Sequence, residues 1–304
     1  MKNEKILITG CGGMLGSAVY PVFSETGARI LATDIDLNES WLEHLDIRDI
    51  YECGKVFKQF QPTIVLHLAA LTDLEYCESN QHASWETNAL GTENIALMAK
   101  KHGCTMCYIS TAGVYDGHQN AYTDFDPPNP LSYYAKSKYH GEVFVQQFME
   151  KYYIFRAGWM MGGGPEKDKK FINKIYRQIC DGATELFIVE DKLGNPTYTR
   201  NFAESIRKVL PTGYYGLYNQ VCTGSGSRYD VAVEFVRLLG LSEKIRVTQV
   251  DSDHFKKEYF APRPYSEKLV NLKLNKRKIN HMRNWKDCLQ EYSRLFLDDY
   301  NAKV

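Results

Sequence analysis

Lys5-Ile-Leu-Ile-Thr9-Gly10-Cys11-Gly12-Gly13-Met14-Leu15-Gly16 is the stretch on which the fold turns. Residues 5–9 are a short run closed by glycine, which reads as a buried strand. Residues 14–26 carry Leu15, Val19, Val22 and Phe23 on one helical face, and Gly27 stands where a helix ends in a left-handed residue. Between strand and helix, Gly10, Gly13 and Gly16 make a GxxGxxG pattern. Without side chains the backbone can approach a pyrophosphate, and the start of the helix offers free N–H groups and the positive end of its dipole. Residues 29–33 read as a second strand that ends at Asp34. A carboxylate there can accept both hydroxyls of an adenosine ribose and repels a 2′-phosphate. No Arg or Lys lies between 35 and 47 to neutralise it. The expected cofactor is therefore NAD, with NADP left open.

Further strands are expected at 63–68, 104–109 and 152–156, and helices at 84–101 and 132–150. This alternation predicts an α/β fold: a Rossmann-type doubly wound parallel sheet with a smaller C-terminal substrate-binding lobe. In such sheets ligands bind at the C-terminal ends of the strands. The division expected is 1–156 for the dinucleotide-binding domain and 157–304 mainly for the lobe, with segments of the second half free to return to the first. Helical patches there fall at 169–180, 202–209, 228–239 and 285–298.

Composition limits the function classes. The 304 residues carry 37 Lys+Arg against 37 Asp+Glu, and 44% are hydrophobic. That is globular composition without the basic excess of a nucleic-acid binder. No apolar run reaches the roughly 18 residues of a membrane helix. The polar start Met1 to Lys5 does not look like a signal peptide. Eight cysteines are too few for a disulfide scaffold. A cytoplasmic protein with no nucleic-acid or membrane partner is expected, and a homodimer is left open.

A Tyr-x-x-x-Lys spacing puts both side chains on one helix face. It occurs twice, at Tyr51–Lys55 and at Tyr134–Lys138. Position separates them: Tyr134 opens the helix beyond the strand-end residues Ser110 and Thr111, on the ligand edge of the sheet. A phenol ionises near pH 10, and an adjacent ammonium is expected to lower that value. Tyr134 would then give a proton to a carbonyl oxygen that receives a hydride, with the Thr111 hydroxyl bonded to the same oxygen. Tyr51 has no such partners.

These pieces resemble the extended short-chain dehydrogenase/reductase family. The matching residues are Thr9-Gly10-x-x-Gly13-x-x-Gly16, Asp34, His67-Leu68-Ala69-Ala70, Asn88-Ala-Leu-Gly91-Thr92, Ser110-Thr111 and Tyr134-x-x-x-Lys138. Within it the chain is most similar to the dTDP-4-dehydrorhamnose reductases, through Gly13-Met14-Leu15-Gly16, Leu45-Asp46-Ile47-Arg48-Asp49, Arg156-Ala-Gly-Trp159, Gly194-Asn-Pro196-Thr197-Tyr198 and Arg263-Pro264-Tyr-Ser266. The resemblance implies an NAD(P)-dependent reductase of a keto group, at C4, on a nucleotide-activated deoxysugar, in dTDP-rhamnose and polysaccharide biosynthesis. It implies Thr111, Tyr134 and Lys138 as catalytic residues. It implies Gly10, Gly13, Met14, Leu15, Gly16, Asp34, Asp46, Ile47, Leu68, Ala69, Ala70, Asn88, Tyr134 and Lys138 at the cofactor. Thr111, Trp159 and Arg263 would meet the substrate, and no metal is involved.

The chain departs from the family after Thr111. The rhamnose-pathway reductases carry Asp-Tyr there, the 4,6-dehydratases Asp-Glu, and the GDP-fucose synthases a Cys at the second position; here it is Ala112-Gly113. Without those groups, direct carbonyl reduction is the simplest chemistry. An epimerase of the same family and a non-catalytic dinucleotide-binding regulatory subunit stay open as alternatives. Cys104-Thr-Met-Cys107 falls in an expected buried strand and is read as apolar packing. His67 is read as structural. The lysines at 167–170 and 273–278 are read as solvated faces.

Overall fold

A computed structural model describes residues 1–303. The first half runs β1 (Lys5–Thr9), α1 (Gly16–Ser24), β2 (Arg29–Asp34), β3 (Glu43–His44), α2 (Ile50–Phe60), β4 (Ile64–His67), α3 (Leu74–Ser79), α4 (Gln81–Ser84), a π-helical turn (Trp85–Leu90), α5 (Gly91–Lys101), β5 (Thr105–Thr111), α6 (Tyr133–Phe148) and β6 (Tyr152–Ala157). The second half runs β7 (Trp159–Met161), α7 (Gly164–Lys167), α8 (Phe171–Cys180), β8 (Glu185–Val189), β9 (Leu193–Gly194), β10 (Pro196–Tyr198), α9 (Thr199–Val209), β11 (Gly216–Asn219), β12 (Gly226–Ser227), α10 (Arg228–Leu238), β13 (Arg246–Val250), α11 (Leu272–Lys276) and α12 (Trp285–Lys303).

Seven parallel strands form one sheet in the order β11-β6-β5-β4-β1-β2-β3. The order reverses between β1 and β4, and a crevice opens at such a switch point. The central strands read as continuous apolar runs because helices cover both faces. Ile6 and Ile8 join Val19 and Phe23 in one core, while Leu7 and Val65 face Phe57 and Ile95 in the other.

The expected strands and long helices are present, with boundaries moved by a few residues. The expected helix 84–101 is broken by the π-turn, which carries Asn88. The returning segments are β11, which pairs with β6, and α9, which packs on α1. No described helix is long and apolar enough to cross a membrane.

A buried ion pair ties α6 to β6. Arg156 donates from Nε and Nη2 to the Glu142 carboxylate at 2.9 and 2.6 Å, and from Nη1 to the Tyr115 hydroxyl. The two charged side chains are 3% and 0% exposed. Removing one member strands the other charge in the core. Glu142→Ala is expected to lower stability by about 3–5 kcal/mol, read from the midpoint of urea unfolding. A loss below about 1 kcal/mol would show that water reaches Arg156.

Candidate functional site

Gly10 takes φ +71°, and a Cβ there would lie 2.4 Å from the Ala69 backbone. Only glycine lets the β1–α1 turn pass the β4 loop this closely. A Cβ on Gly16 would lie 2.0 Å from the Cys11 carbonyl oxygen. Gly13 is open, with only the Gly10 carbonyl near its Cβ position. The three glycines therefore divide the work: Gly10 and Gly16 permit close packing, and Gly13 faces the crevice. The first turn of α1 has no side-chain cap; Ser17 N and Ala18 N donate to the Gly13 and Leu15 carbonyls, which leaves the N–H groups just ahead of them for a ligand.

The turn opens into a cleft of about 1260 Å³. Of the expected cofactor residues, Gly10, Gly13, Met14, Leu15, Asp34, Asp46, Ile47, Leu68, Ala69, Ala70, Tyr134 and Lys138 line it. Gly16 and Asn88 do not. Gly16 sits at a packing contact. Asn88 is buried in the π-turn, where Oδ1 accepts from Leu71 N at 2.8 Å and Nδ2 donates to Leu71 O at 3.0 Å. Asn88 thus fixes the turn that carries Leu68, Ala69 and Ala70.

Asp34 accepts from Gly12 N at 2.9 Å and from Asp36 N at 3.1 Å. It braces the glycine turn as well as facing the cleft. Arg48, one residue past the cation-free window, also lines the cleft, but its guanidinium grips the Asp46 carboxylate at 2.6–3.1 Å. That pair holds Asp46 below its ordinary pKa.

Thr111, Tyr134 and Lys138 all line the same cleft. Ser132 caps α6 by accepting from Ala135 N at 3.2 Å, which sets the first turn and its Tyr134. Thr111 hydrogen-bonds Tyr134, and its Oγ1 accepts from Gly113 N at 3.1 Å. Burial pushes the Tyr134 phenol up to about 12, and the Thr111 bond works against that rise. The expected lowering is therefore overturned: burial raises the phenol, and it is the Thr111 bond, not the Lys138 ammonium, that opposes the rise. Burial likewise pulls the Lys138 ammonium down to about 7, with the Glu142 carboxylate opposing. Lys138 lies over the Tyr108 ring, its Nζ 4.2 Å from the centroid.

Trp159 and Arg263 also reach the cleft. The indole N–H of Trp159 donates to Glu267 Oε2 at 2.6 Å. Arg263 is held by Glu75 of α3, Nη1 to Oε1 at 2.7 Å and Nη2 to Oε2 at 3.0 Å. Tyr51 is 81% exposed and lies off the cleft, as its lack of partners predicted. Cys104 and Cys107 are buried and burial raises both thiols. Lys170 is not on a solvated face: its Nζ donates to Thr72 O and Oγ1 at 3.0 and 3.2 Å beside the cleft. Lys273 likewise turns inward, to the Leu217 carbonyl.

Two residues escaped the sequence reading. Arg228 stacks on Trp159 at 3.8 Å and on Phe171 at 4.9 Å. Burial pulls its guanidinium down to about 10. It is the first residue of α10, where a cation opposes the helix dipole. That misfit was the available signal. Glu267 is the other, and no local pattern marks it.

The family described as RmlD substrate binding domain matches residues 4–297. The chain belongs to this family. A dTDP-4-dehydrorhamnose reductase from Mycobacterium tuberculosis is 27% identical over 95% of this chain and 92% of its own. Among solved structures, a dTDP-4-dehydrorhamnose reductase from Clostridium acetobutylicum superposes with TM-score 0.87 at 34% identity, covering 96% of this chain and 99% of its own. One from Bacillus anthracis, in complex with NADP, has the same TM-score at 28% identity, covering 95% and 98%.

In this RmlD-family chain, Lys138 is expected to titrate near pH 7 in the cofactor-free protein. Its charged fraction falls as pH rises through that value, because burial disfavours the ammonium. The 13Cε resonance of Lys138, assigned by Lys138→Met, reports it. Titration near the ordinary 10.5 would show that water solvates the amine.

Proposed function

We propose that this chain reduces a keto group on a nucleotide-activated deoxysugar, using a nicotinamide dinucleotide. The observation that carries the reading is a single cleft lined at one end by a glycine turn with Asp34 and at the other by Thr111, Tyr134 and Lys138. Family membership and relatives named as dTDP-4-dehydrorhamnose reductases support the substrate class. The residues fit the cofactor. Gly13 leaves room for a pyrophosphate, and the buried Ser110 Oγ lacks a partner among the described residues while lining the cleft.

When bound, the cofactor supplies the hydride. The chain's own residues do the rest. Thr111 and Tyr134 hold the substrate carbonyl oxygen by hydrogen bonds. Tyr134 keeps its proton at neutral pH, because burial raises its pKa, and so stands ready as the donor that reduction needs. Lys138, on the same helix face, positions the nicotinamide ribose. Trp159 borders the sugar from the 157–304 half, which we assign mainly to substrate binding. The seven buried, unpaired cysteines suit a reducing, cytoplasmic setting.

Tyr134→Phe is expected to lower kcat for a dTDP-4-keto-6-deoxysugar by at least about 100-fold, with cofactor affinity unchanged by fluorescence titration. Reduction surviving within a few-fold would overturn the assignment. For the cofactor, Asp34 favours NADH, and Arg48 is occupied by Asp46. We expect kcat/KM with NADH to exceed that with NADPH by about tenfold, and Asp34→Asn to narrow the ratio. A wild-type preference for NADPH would mean that Arg48 leaves Asp46 to meet the 2′-phosphate.

A further inference from the structure

Ala112 and Gly113, directly after Thr111, carry no acid, yet a carboxylate stands beside them. An ideal Cβ on Gly113 would lie 3.4 Å from Glu267 Oε1 and 3.4 Å from Thr111 Oγ1. The two oxygens therefore flank one point at the reacting end of the cleft, and Glu267 lines that cleft. A Cβ on Gly113 would sit in ordinary van der Waals contact with both oxygens, so only a longer side chain would come between them. The carboxylate cannot swing freely, because Oε2 is held by the Trp159 indole N–H at 2.6 Å. Trp159 is itself backed by Gly194, where a Cβ would meet the ring at 2.4 Å, and covered by Arg228. Burial raises the Glu267 pKa above the ordinary carboxylate value, while the Trp159 bond and then Arg228, Arg263 and Lys192 oppose that rise by favouring the ionised form.

An ionised carboxylate only accepts hydrogen bonds. The neighbouring Thr111 and Tyr134 supply donors for a carbonyl oxygen. Donors and acceptor side by side match two oxygens on adjacent carbons, one a carbonyl and one a hydroxyl. Building on the keto-sugar reading above, we propose that Glu267 is a specificity-determining residue that accepts a hydrogen bond from the hydroxyl on the carbon next to the reacting carbonyl. The site thus selects α-hydroxyketone sugars. A site built to bond a hydroxyl rejects the analogue that lacks it, because its polar group is then left unpaired.

The test compares wild type, Glu267→Gln and Glu267→Asp on two substrates, dTDP-4-keto-6-deoxyglucose and its 3-deoxy analogue. Glu267→Gln keeps an acceptor for Trp159, and Glu267→Asp keeps the charge one methylene shorter, which guards against a folding defect. The wild type is expected to prefer the hydroxylated substrate by about 100-fold in kcat/KM, and Glu267→Gln to erase at least about tenfold of that preference. The variant should lose at least about tenfold more kcat/KM on the hydroxylated substrate than on the 3-deoxy analogue, with thermal midpoints within about 2 °C. Equal losses on both substrates would overturn the proposal and leave the reductase reading standing. Glu267-dependent uptake of solvent deuterium at the carbon next to the carbonyl would also overturn it, by showing a base. A wild type that neither binds nor reduces either sugar would remove the keto-sugar reading, and this proposal with it.

Discussion

One run of buried hydrogen bonds underlies the catalytic helix. Thr9 of β1 bonds His67 Nδ1 at 2.7 Å, and His67 Nε2 meets Thr92 Oγ1 at 3.0 Å. Thr92 spends its hydroxyl proton on the Asn88 carbonyl at 2.7 Å, so it must accept from Nε2–H, and Nδ1 must accept from Thr9. The Asn88 side chain continues to Leu71 and Ser137, and Ser137 donates to the Tyr134 carbonyl at 2.9 Å. The bond from Thr9 to Nδ1 requires a neutral His67. Burial, with Lys138 nearby, holds its pKa down to about 3. The imidazole also stacks on Tyr108, whose other contact is the ammonium of Lys138 and whose hydroxyl donates to the Lys138 carbonyl at 3.0 Å. A charged ring at 67 would break this run and repel the lysine together, so a histidine that only looks structural fixes where the chemistry happens.

Charge placement on either side of the cleft follows the same economy. Arg263 grips Glu75, Lys170 caps the Thr72 carbonyl, and Lys167 pairs with Glu39. Each contact joins the second half of the chain to a loop or short helix that follows a strand of the sheet. Surface pairs of this kind contribute little stability singly. Their value here is geometric: three cations from one side meet carboxylates or carbonyls on the other, and the cleft walls keep a fixed spacing. The lysines at 167 and 170 look like a solvated run in sequence because sequence does not show the opposing loops.

Much of the site was legible because it is local. The strand–glycine–helix turn, the acid at the end of β2 and the i, i+4 pair on α6 all follow from short-range rules that survive folding. The illegible parts are long-range. Gly16 carries the same spacing signal as Gly13 but spends it on the Cys11 carbonyl, and only a packed structure separates the two. The Tyr134 ionisation was misjudged because proximity to a lysine is visible in sequence and desolvation is not. The run Gly194 to Tyr198 served as a fingerprint, and the structure supplies its physics. Gly194 yields to the Trp159 ring, and the Asn195 carbonyl accepts from Trp159 N at 3.0 Å. Asn195 Oδ1 accepts from Leu269 N at 2.7 Å, two residues after Glu267.

Asn195 therefore sets two things at once, the seat of Trp159 and the path of the segment that delivers Glu267. On the proposed reading the Thr–Tyr–Lys set settles only the reaction, since a hydride acceptor needs a held oxygen and a proton. Discrimination among sugars must then come from groups that touch atoms beyond the carbonyl. In this chain Trp159 of β7, Arg228 at the start of α10 and Glu267 line the cleft from segments without the strand–helix alternation of the first half. Irregular segments can change a side chain at the cleft without disturbing a ladder of backbone bonds. Gly113 leaves its own place beside Thr111 open to the Glu267 carboxylate, and so brings together residues more than a hundred and fifty positions apart.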